Sequence, residues 1–354
     1  MSDTQVLPEK ARIAIIGGGI IGTSVAYHLA KRGIKDVILI ERKQLTSGTT
    51  WHAAGLVSLS WPTPTLTNLA KYSHELYASL EEETGQATGY KQIGSISLAR
   101  TEARLEEIKR TSSMAKVFGV ESEMIDNTRL AELYPGINTD GVLGALYTPD
   151  DGQTNPIDTT MALAKGARMN GVEIFENTVM EELLTKDNVI TGIRTDKGKV
   201  EVDQVILCGG MWTRDLAKTV GVQLPIYTCE HSYIVTEEME GLSQRPVLRD
   251  YDRGLYYKED AGKMLIGWFE DNAKGMSMDN ITDDFCFGQF PCDQDHVEPY
   301  VMNSMDTFPQ LETTGIRTWF NGPESFTNDN LHLLGPTSEV DKLFIAAGMN
   351  SKGI

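Results

Sequence analysis

Three glycines, an acid and a few ring side chains carry the chemistry that can be read directly from this sequence. Gly17, Gly19 and Gly22 form a G-x-G-x-x-G arrangement, and Glu41 follows nineteen residues after the last of them (41 − 22). Such glycines allow a tight turn, close approach of backbone to a pyrophosphate, and close packing of a helix on a strand. An acid at that distance can accept hydrogen bonds from a ribose hydroxyl. The set describes a dinucleotide cradle, and it does not by itself separate FAD from NAD. Further on, His231 and Tyr233 stand two apart in a strand-like run and share one face, whereas Tyr256 and Tyr257 must point to opposite faces. They could line a polar cavity, or be a packed histidine and sheet-surface tyrosines, since tyrosine is common in strands. Arg249 could clamp a carboxylate bidentately, or pair with Asp250 or Asp252 at the surface.

The elements that must hold these residues are legible too. Arg12 to Ile16 is an apolar run fit for a buried parallel strand. The glycines then open an amphipathic helix ending at Gly33, and Val37 to Ile40 is a second apolar strand closing on Glu41. The helix N-terminus offers unpaired amides and a positive dipole end to phosphates. A helix is expected from Thr65 to Glu83, with Leu66, Leu69, Tyr72, Leu76 and Leu80 on one face. Another is expected from Glu102 to Phe118, striped by Leu105, Ile108 and Met114, and a short one from Asn127 to Leu133. Asn155-Pro156 predicts a capped helix start running to Met169. Lys199–Val202 and Val205–Cys208 read as separate strands, the second running into Gly209-Gly210 and a helix near Trp212. From Leu224 short strand-like runs recur, as in an antiparallel or mixed sheet, and Leu343 to Ala347 reads as a last parallel strand.

The chain has 354 residues, enough for about two domains, and its 40% hydrophobic and 23% charged composition is that of an ordinary soluble globular protein. A net charge of −18 disfavours nucleic acid and anionic membranes as partners. The four cysteines lack C-x-x-C spacing, and no His/Cys cluster has metal-ligand spacing, so no metal is expected. The N-terminal residues show neither an apolar h-region nor an Arg-rich character. No apolar run approaches the ~18 residues of a membrane helix. A cytoplasmic location is expected.

The segment Trp51-His52-Ala53-Ala54-Gly55, taken with the fingerprint, resembles the sarcosine and dimethylglycine dehydrogenases, FAD-dependent amine oxidoreductases of the D-amino-acid-oxidase-like superfamily. Val205-Ile206-Leu207-Cys208-Gly209-Gly210-Met211-Trp212, His231-Ser232-Tyr233, Gly322-Pro323-Glu324-Ser325-Phe326-Thr327 and Gly348-Met349-Asn350-Ser351 agree, and the resemblance covers essentially the whole chain. It implies an α/β fold: a Rossmann-like FAD-binding domain formed by 1–90, 145–223 and 322–354, with an inserted sheet-rich α+β substrate domain formed by 91–144 and 224–321. It implies an FAD site made by Gly17, Gly19, Ile20, Ile21, Gly22, Glu41 and Arg42, with Gly48, Thr49, Thr50, Trp51, His52, Ala53, Ala54, Gly55 and Leu56 following. Val179, Gly210 and Trp212 belong to the same expected site, as do Gly348, Met349, Asn350, Ser351, Lys352 and Gly353, with Asn350 and Ser351 adding side-chain donors near the flavin.

In that family the histidine matching His52 is joined to the 8α-methyl of FAD. Without the resemblance, a lone loop histidine is ordinarily structural or solvated. The histidine matching His231 and the tyrosine matching Tyr256 line the amine site, while Tyr257 is expected in the core. The implied reaction is oxidative N-demethylation of a small N-methylated amino acid by hydride transfer to flavin N5, with an electron-transfer protein or oxygen as acceptor. Tetrahydrofolate enters only with a folate-binding domain, which these residues do not contain. Two alternatives stay open: another secondary or tertiary amine as substrate, and a non-catalytic relative resembling the pyruvate dehydrogenase phosphatase regulatory subunit, which lacks the Trp-His pair. One departure from the family is Asn328 after Thr327, where proline is usual, and it is expected to loosen that turn.

Overall fold

The computed structural model describes residues 6–354. Its first sheet has eight strands. Lys10–Ile16 lies in the middle, parallel to Val37–Ile40 on one side and to Gly198–Leu207 on the other. Ile13 to Ile16 and all four residues of Val37–Ile40 are buried, which explains why both strands read as unbroken apolar runs. Leu343–Ala347 adds a further parallel strand beside the end of Gly198–Leu207. The helix Ile20–Lys31 packs against Pro156–Met169 so closely that a Cβ on Gly166 would come within 2.8 Å of the Tyr27 ring. Asn155 caps that second helix by accepting from the amides of Ile157 and Asp158.

The second sheet has nine strands and is antiparallel except where Val247–Asp250 runs parallel to Ser95–Ala99. The chain enters it at Ser95, leaves after Thr148, and returns from Ile226 to Thr327. Its core holds Trp268, Tyr257, Tyr134 and Phe308. A small third sheet ties Leu56–Val57 and Lys91–Gln92 to Gly152–Gln153. No helix among the described residues is long and apolar enough to cross a membrane.

Several expectations need correction. The runs 199–202 and 205–208 are one strand, Gly198–Leu207, whose first half pairs in an edge hairpin and whose second half is buried between parallel neighbours. The domain boundaries at 145 and 322 both fall inside strands of the second sheet, Gly144–Thr148 and Ile316–Thr327. In the helix Pro64–Thr84 the buried face is Thr67, His74, Tyr77 and Leu80, while Leu69 and Tyr72 are exposed, at 49% and 47%. Leu66 and Leu69 instead border the large cavity described below. In Glu102–Val117 the buried stripe is Ile108, Ser112 and Ala115, with Met114 turned out. The turn after Thr327 is not loose. The Thr327 carbonyl accepts from Asn330, and its hydroxyl donates to Leu331 O at 2.8 Å.

Candidate active site

One cavity of about 1880 Å³ runs from Gly17 and Glu41 to His231, Arg249 and Tyr256. Typical small-molecule pockets hold about 300–1,000 Å³. This one has room for a dinucleotide and a small substrate together.

Its nucleotide end is made largely of backbone. Gly17 has φ +116°, and a Cβ there would lie 2.5 Å from Cys208 O. On Gly22 a Cβ would lie 1.8 Å from Gly17 O, so strand and helix meet with no space for a side chain. Glu41 accepts from the amides of Gly18 at 2.6 Å and Lys43 at 2.8 Å. Burial pushes its carboxyl up, and those two amides oppose the push. Each carboxylate oxygen keeps a free lone pair for a hydroxyl. The Ile20 amide, expected to be open to phosphate, donates instead to Thr50 Oγ at 3.1 Å. Ile21 lines the cavity and its amide has no protein acceptor among the described residues. Arg42 lies over the Trp212 ring at 4.8 Å and donates to Asp283 O. Gly48 rests on the same indole, where a Cβ would come within 3.3 Å. Gly210 and the half-exposed Val179 complete this end.

The middle of the cavity is set by the short 3-10 turn Thr50–His52. Thr49 donates to Pro323 O, and Trp51 packs edge-on against His52 and Phe320. His52 is buried with Nε2 against Gly322, where an added Cβ would sit 2.4 Å from that nitrogen. Nε2 has no hydrogen-bond partner. Burial, and then the nearby His231, push the imidazole down to about 4, so it is neutral at neutral pH. Ala53 closes the turn on Thr50 O, the buried Lys258 donates to Ala54 O at 2.9 Å, and Gly55 has φ +75° with Thr154 O 2.2 Å from where a Cβ would be. Leu56 begins the small third sheet.

The loop after Leu343–Ala347 returns to this region with Gly348, Asn350 and Ser351 all at positive φ. The Asn350 and Ser351 side chains, expected as donors to a cofactor, both have protein partners. The Asn350 amide is buried and tied to Thr327 and Gly348, and the Ser351 hydroxyl donates to Glu324 at 2.6 Å. Asn350 serves to hold the left-handed turn, a conformation asparagine tolerates. Met349, Lys352 and Gly353 border the cavity, and Lys352 donates to Asn330 O.

The far wall is a row across the second sheet. Phe320, Tyr233, Gly267, Tyr256, Arg249 and Ser97 are successive register partners on six neighbouring strands. Tyr256 lies on Gly267, where a Cβ would be 2.0 Å from its ring. Its hydroxyl is 3.3 Å from His231 Nε2, and both rings meet Phe269. Tyr257 points to the other side and is fully buried in the core. Arg249 pairs with neither Asp250 nor Asp252, which instead hold Arg100 and Arg104. It donates to Ser58 Oγ at 2.6 Å, stands 3.8 Å from the buried Asp151, and faces the cavity. Arg249 and Asp250 are adjacent on one strand and so point to opposite faces of the sheet.

An FAD fits these residues. The glycine cradle has no space for side chains, Glu41 has lone pairs to spare, and His52 presents a neutral ring with an unpartnered buried nitrogen. Among the described residues no His, Cys, Asp or Glu cluster is placed to hold a metal.

Residues 12–354 match the FAD dependent oxidoreductase (DAO) family. The chain belongs to that family. Among its relatives, 4-methylaminobutanoate oxidase (formaldehyde-forming) of Paenarthrobacter nicotinovorans is 41% identical over 98% of this chain and 42% of its own length. The mitochondrial pyruvate dehydrogenase phosphatase regulatory subunit of Mus musculus is 37% identical over 98% of this chain and 40% of its own. Mitochondrial sarcosine dehydrogenase of Homo sapiens is 35% identical over 99% and 39%. The chain thus spans about two-fifths of the length of these relatives. The crystal structure of L-proline dehydrogenase from P. horikoshii superposes with a TM-score of 0.88 at 25% identity, covering 98% of this chain and 90% of that one. In this member of the oxidoreductase family, sequence reasoning passed over Gly322 and Gly267. Each is a glycine inside a strand, a signal of close approach, and each makes room for a ring of the site.

Proposed function

We propose that this chain carries the flavin and amine sites for oxidation of N-methylated amino acids. One observation carries the reading: the unpartnered His52 ring, the glycine cradle and the His231–Tyr256 pair all border a single cavity. The relatives named for sarcosine and 4-methylaminobutanoate support the substrate class. Bound FAD supplies a hydride acceptor. His52 holds the flavin covalently, which its neutral, nucleophilic imidazole permits. His231 and Tyr256 orient the amine, and Arg249 receives the carboxylate through its planar fork.

Anaerobic titration of the flavin-loaded protein with sarcosine, dimethylglycine and 4-methylaminobutanoate tests the substrate class, and bleaching of the flavin by any of them is the expected result. Bleaching only by an unrelated amine would move the substrate elsewhere in the family. No bleaching by any amine would favour a non-catalytic role like that of the regulatory subunit. Flavin fluorescence that stays with the chain on a denaturing gel, and is lost in His52→Ala, is expected of the covalent link.

A further inference from the structure

Glu324 is a charged residue of the cavity wall with no part in the reading above. On the Ile316–Thr327 strand, Phe320, Gly322 and Glu324 share a face. Phe320 stacks on Tyr233 with ring centroids 4.6 Å apart, and Gly322 carries the His52 ring. Glu324 therefore faces the same space, and it lines the cavity. Its carboxylate is half-buried and held by the Ser351 hydroxyl at 2.6 Å. The charge is felt across the site. Burial raises the Tyr256 phenol well above its ordinary value, and Tyr233, Glu324 and Glu270 raise it further. Arg249, one of the cations lining the cavity, stands on the strand beyond Tyr256. Arg249 and Glu324 thus stand on opposite sides of the Tyr256 strand.

Oxidising an amine to an iminium removes a hydride, with its electron pair, from the carbon next to nitrogen. The nitrogen lone pair forms the new C=N bond, and nitrogen ends with a full positive charge. We infer that Glu324 stabilises the positive charge that develops on the substrate nitrogen during this step. The inference rests on the amine-oxidation reading. A fixed carboxylate aimed where charge develops is a recognised source of rate. It has an opposing consequence in the ground state. The same charge holds the bound substrate as ammonium, so the reactive neutral amine forms only at higher pH.

The two effects have opposite signs in Glu324→Gln, which keeps the shape and can still accept from Ser351. The limiting rate of flavin reduction at high pH should fall by about tenfold. That is below the hundredfold or more of fully enclosed donors, because this carboxylate is half-buried. The midpoint of the acid limb of that rate should fall by about one pH unit. The other titratable groups around Glu324 are Cys229 and His231 on the paired strand, Tyr256 and Glu270, with Lys352 lining the same cavity beside Ser351. All remain in the variant. Methoxyacetate, which replaces the sarcosine nitrogen by oxygen, should bind both proteins equally, read from its perturbation of the flavin spectrum. An unmoved rate and acid limb would overturn the inference, as would loss of methoxyacetate binding in parallel with rate. If no amine reduces the wild-type flavin, the functional reading fails and this inference with it. If amines reduce wild type and variant alike, only the inference fails.

Discussion

At the nucleotide end of the cavity the contacts come from backbone, fixed by residues within about one βαβ unit: Gly17, Gly19 and Gly22, the Gly18 and Lys43 amides, and Glu41. At the far wall they come from side chains, lined up by the register of six strands whose members are drawn from Ser97 to Phe320. The first kind of site fails when an atom is added, because there is no space. The second fails when a group is removed, because each side chain acts separately. The contrast predicts an all-or-none response at one end and graded, ligand-dependent responses at the other.

Gly22→Ala should give the largest effect. Its Cβ would overlap a backbone carbonyl at 1.8 Å, and neither the strand nor the helix can yield by that much. Loss beyond about 3 kcal/mol is expected, above the ordinary range for overpacking. The protein should retain no flavin after desalting. Gly275→Ala, whose Cβ would meet nothing within 4 Å and which lies outside the cavity, should keep it. Equal flavin retention by the two variants would refute the all-or-none picture.

His52, between the two ends, gives a pH signature. An unfolded chain protonates this histidine near 6.5, whereas burial lowers it to about 4 in the fold. Its contribution to stability is therefore complete above 6.5 and is lost as pH falls from 6.5 toward 4. The loss is up to about 3 kcal/mol, at 1.36 kcal/mol per unit. Denaturant melts of the apoprotein between pH 7 and 4 should show a shallower fall for His52→Ala than for wild type. Identical slopes would mean that the ring is not buried as neutral imidazole.

The same contrast explains how much was legible beforehand. The cradle was readable because its spacing, strand, helix and acid are all local in sequence, and the helix Pro156–Met169 because Asn155-Pro156 announces it. The wall was readable only as faces. Period two separates Tyr256 from Tyr257, but no pattern says that Gly267 lies under Tyr256 or that Gly322 lies under His52, 270 residues away (322 − 52). Register is set by pairing across the whole sheet, not by neighbours in the chain. The Gly198–Leu207 strand was split for a related reason. Its burial changes halfway along, where a hairpin partner gives way to parallel neighbours.

Arg249→Lys tests the graded response. Lysine keeps the charge but not the fork, and loses the paired geometry with Ser58 and Asp151. A charge-assisted hydrogen bond is worth about 1.5–3 kcal/mol. KM for an N-methyl amino acid should rise about 10–100-fold, with kcat changed much less. An N-methylamine lacking a carboxylate should be oxidised equally by both proteins. If the two substrates suffer alike, Arg249 is a structural residue of the wall and not the carboxylate reader.

Tyr256→Phe should give the smallest effect. The ring is placed by Gly267 and Phe269, not by its hydroxyl, so phenylalanine should occupy the same position. What disappears is one 3.3 Å contact with His231 Nε2 and, on the proposed function, one donor toward the amine. A neutral hydrogen bond contributes about 0.5–1.5 kcal/mol, so the rate of flavin reduction should fall by about 3–10-fold with flavin content and melting temperature nearly unchanged. A loss of a thousandfold would make the Tyr256 hydroxyl a proton-transfer group. The buried, strongly raised phenol argues against that, because it does not ionise near neutral pH. A change of less than twofold would leave His231 to orient the amine without it.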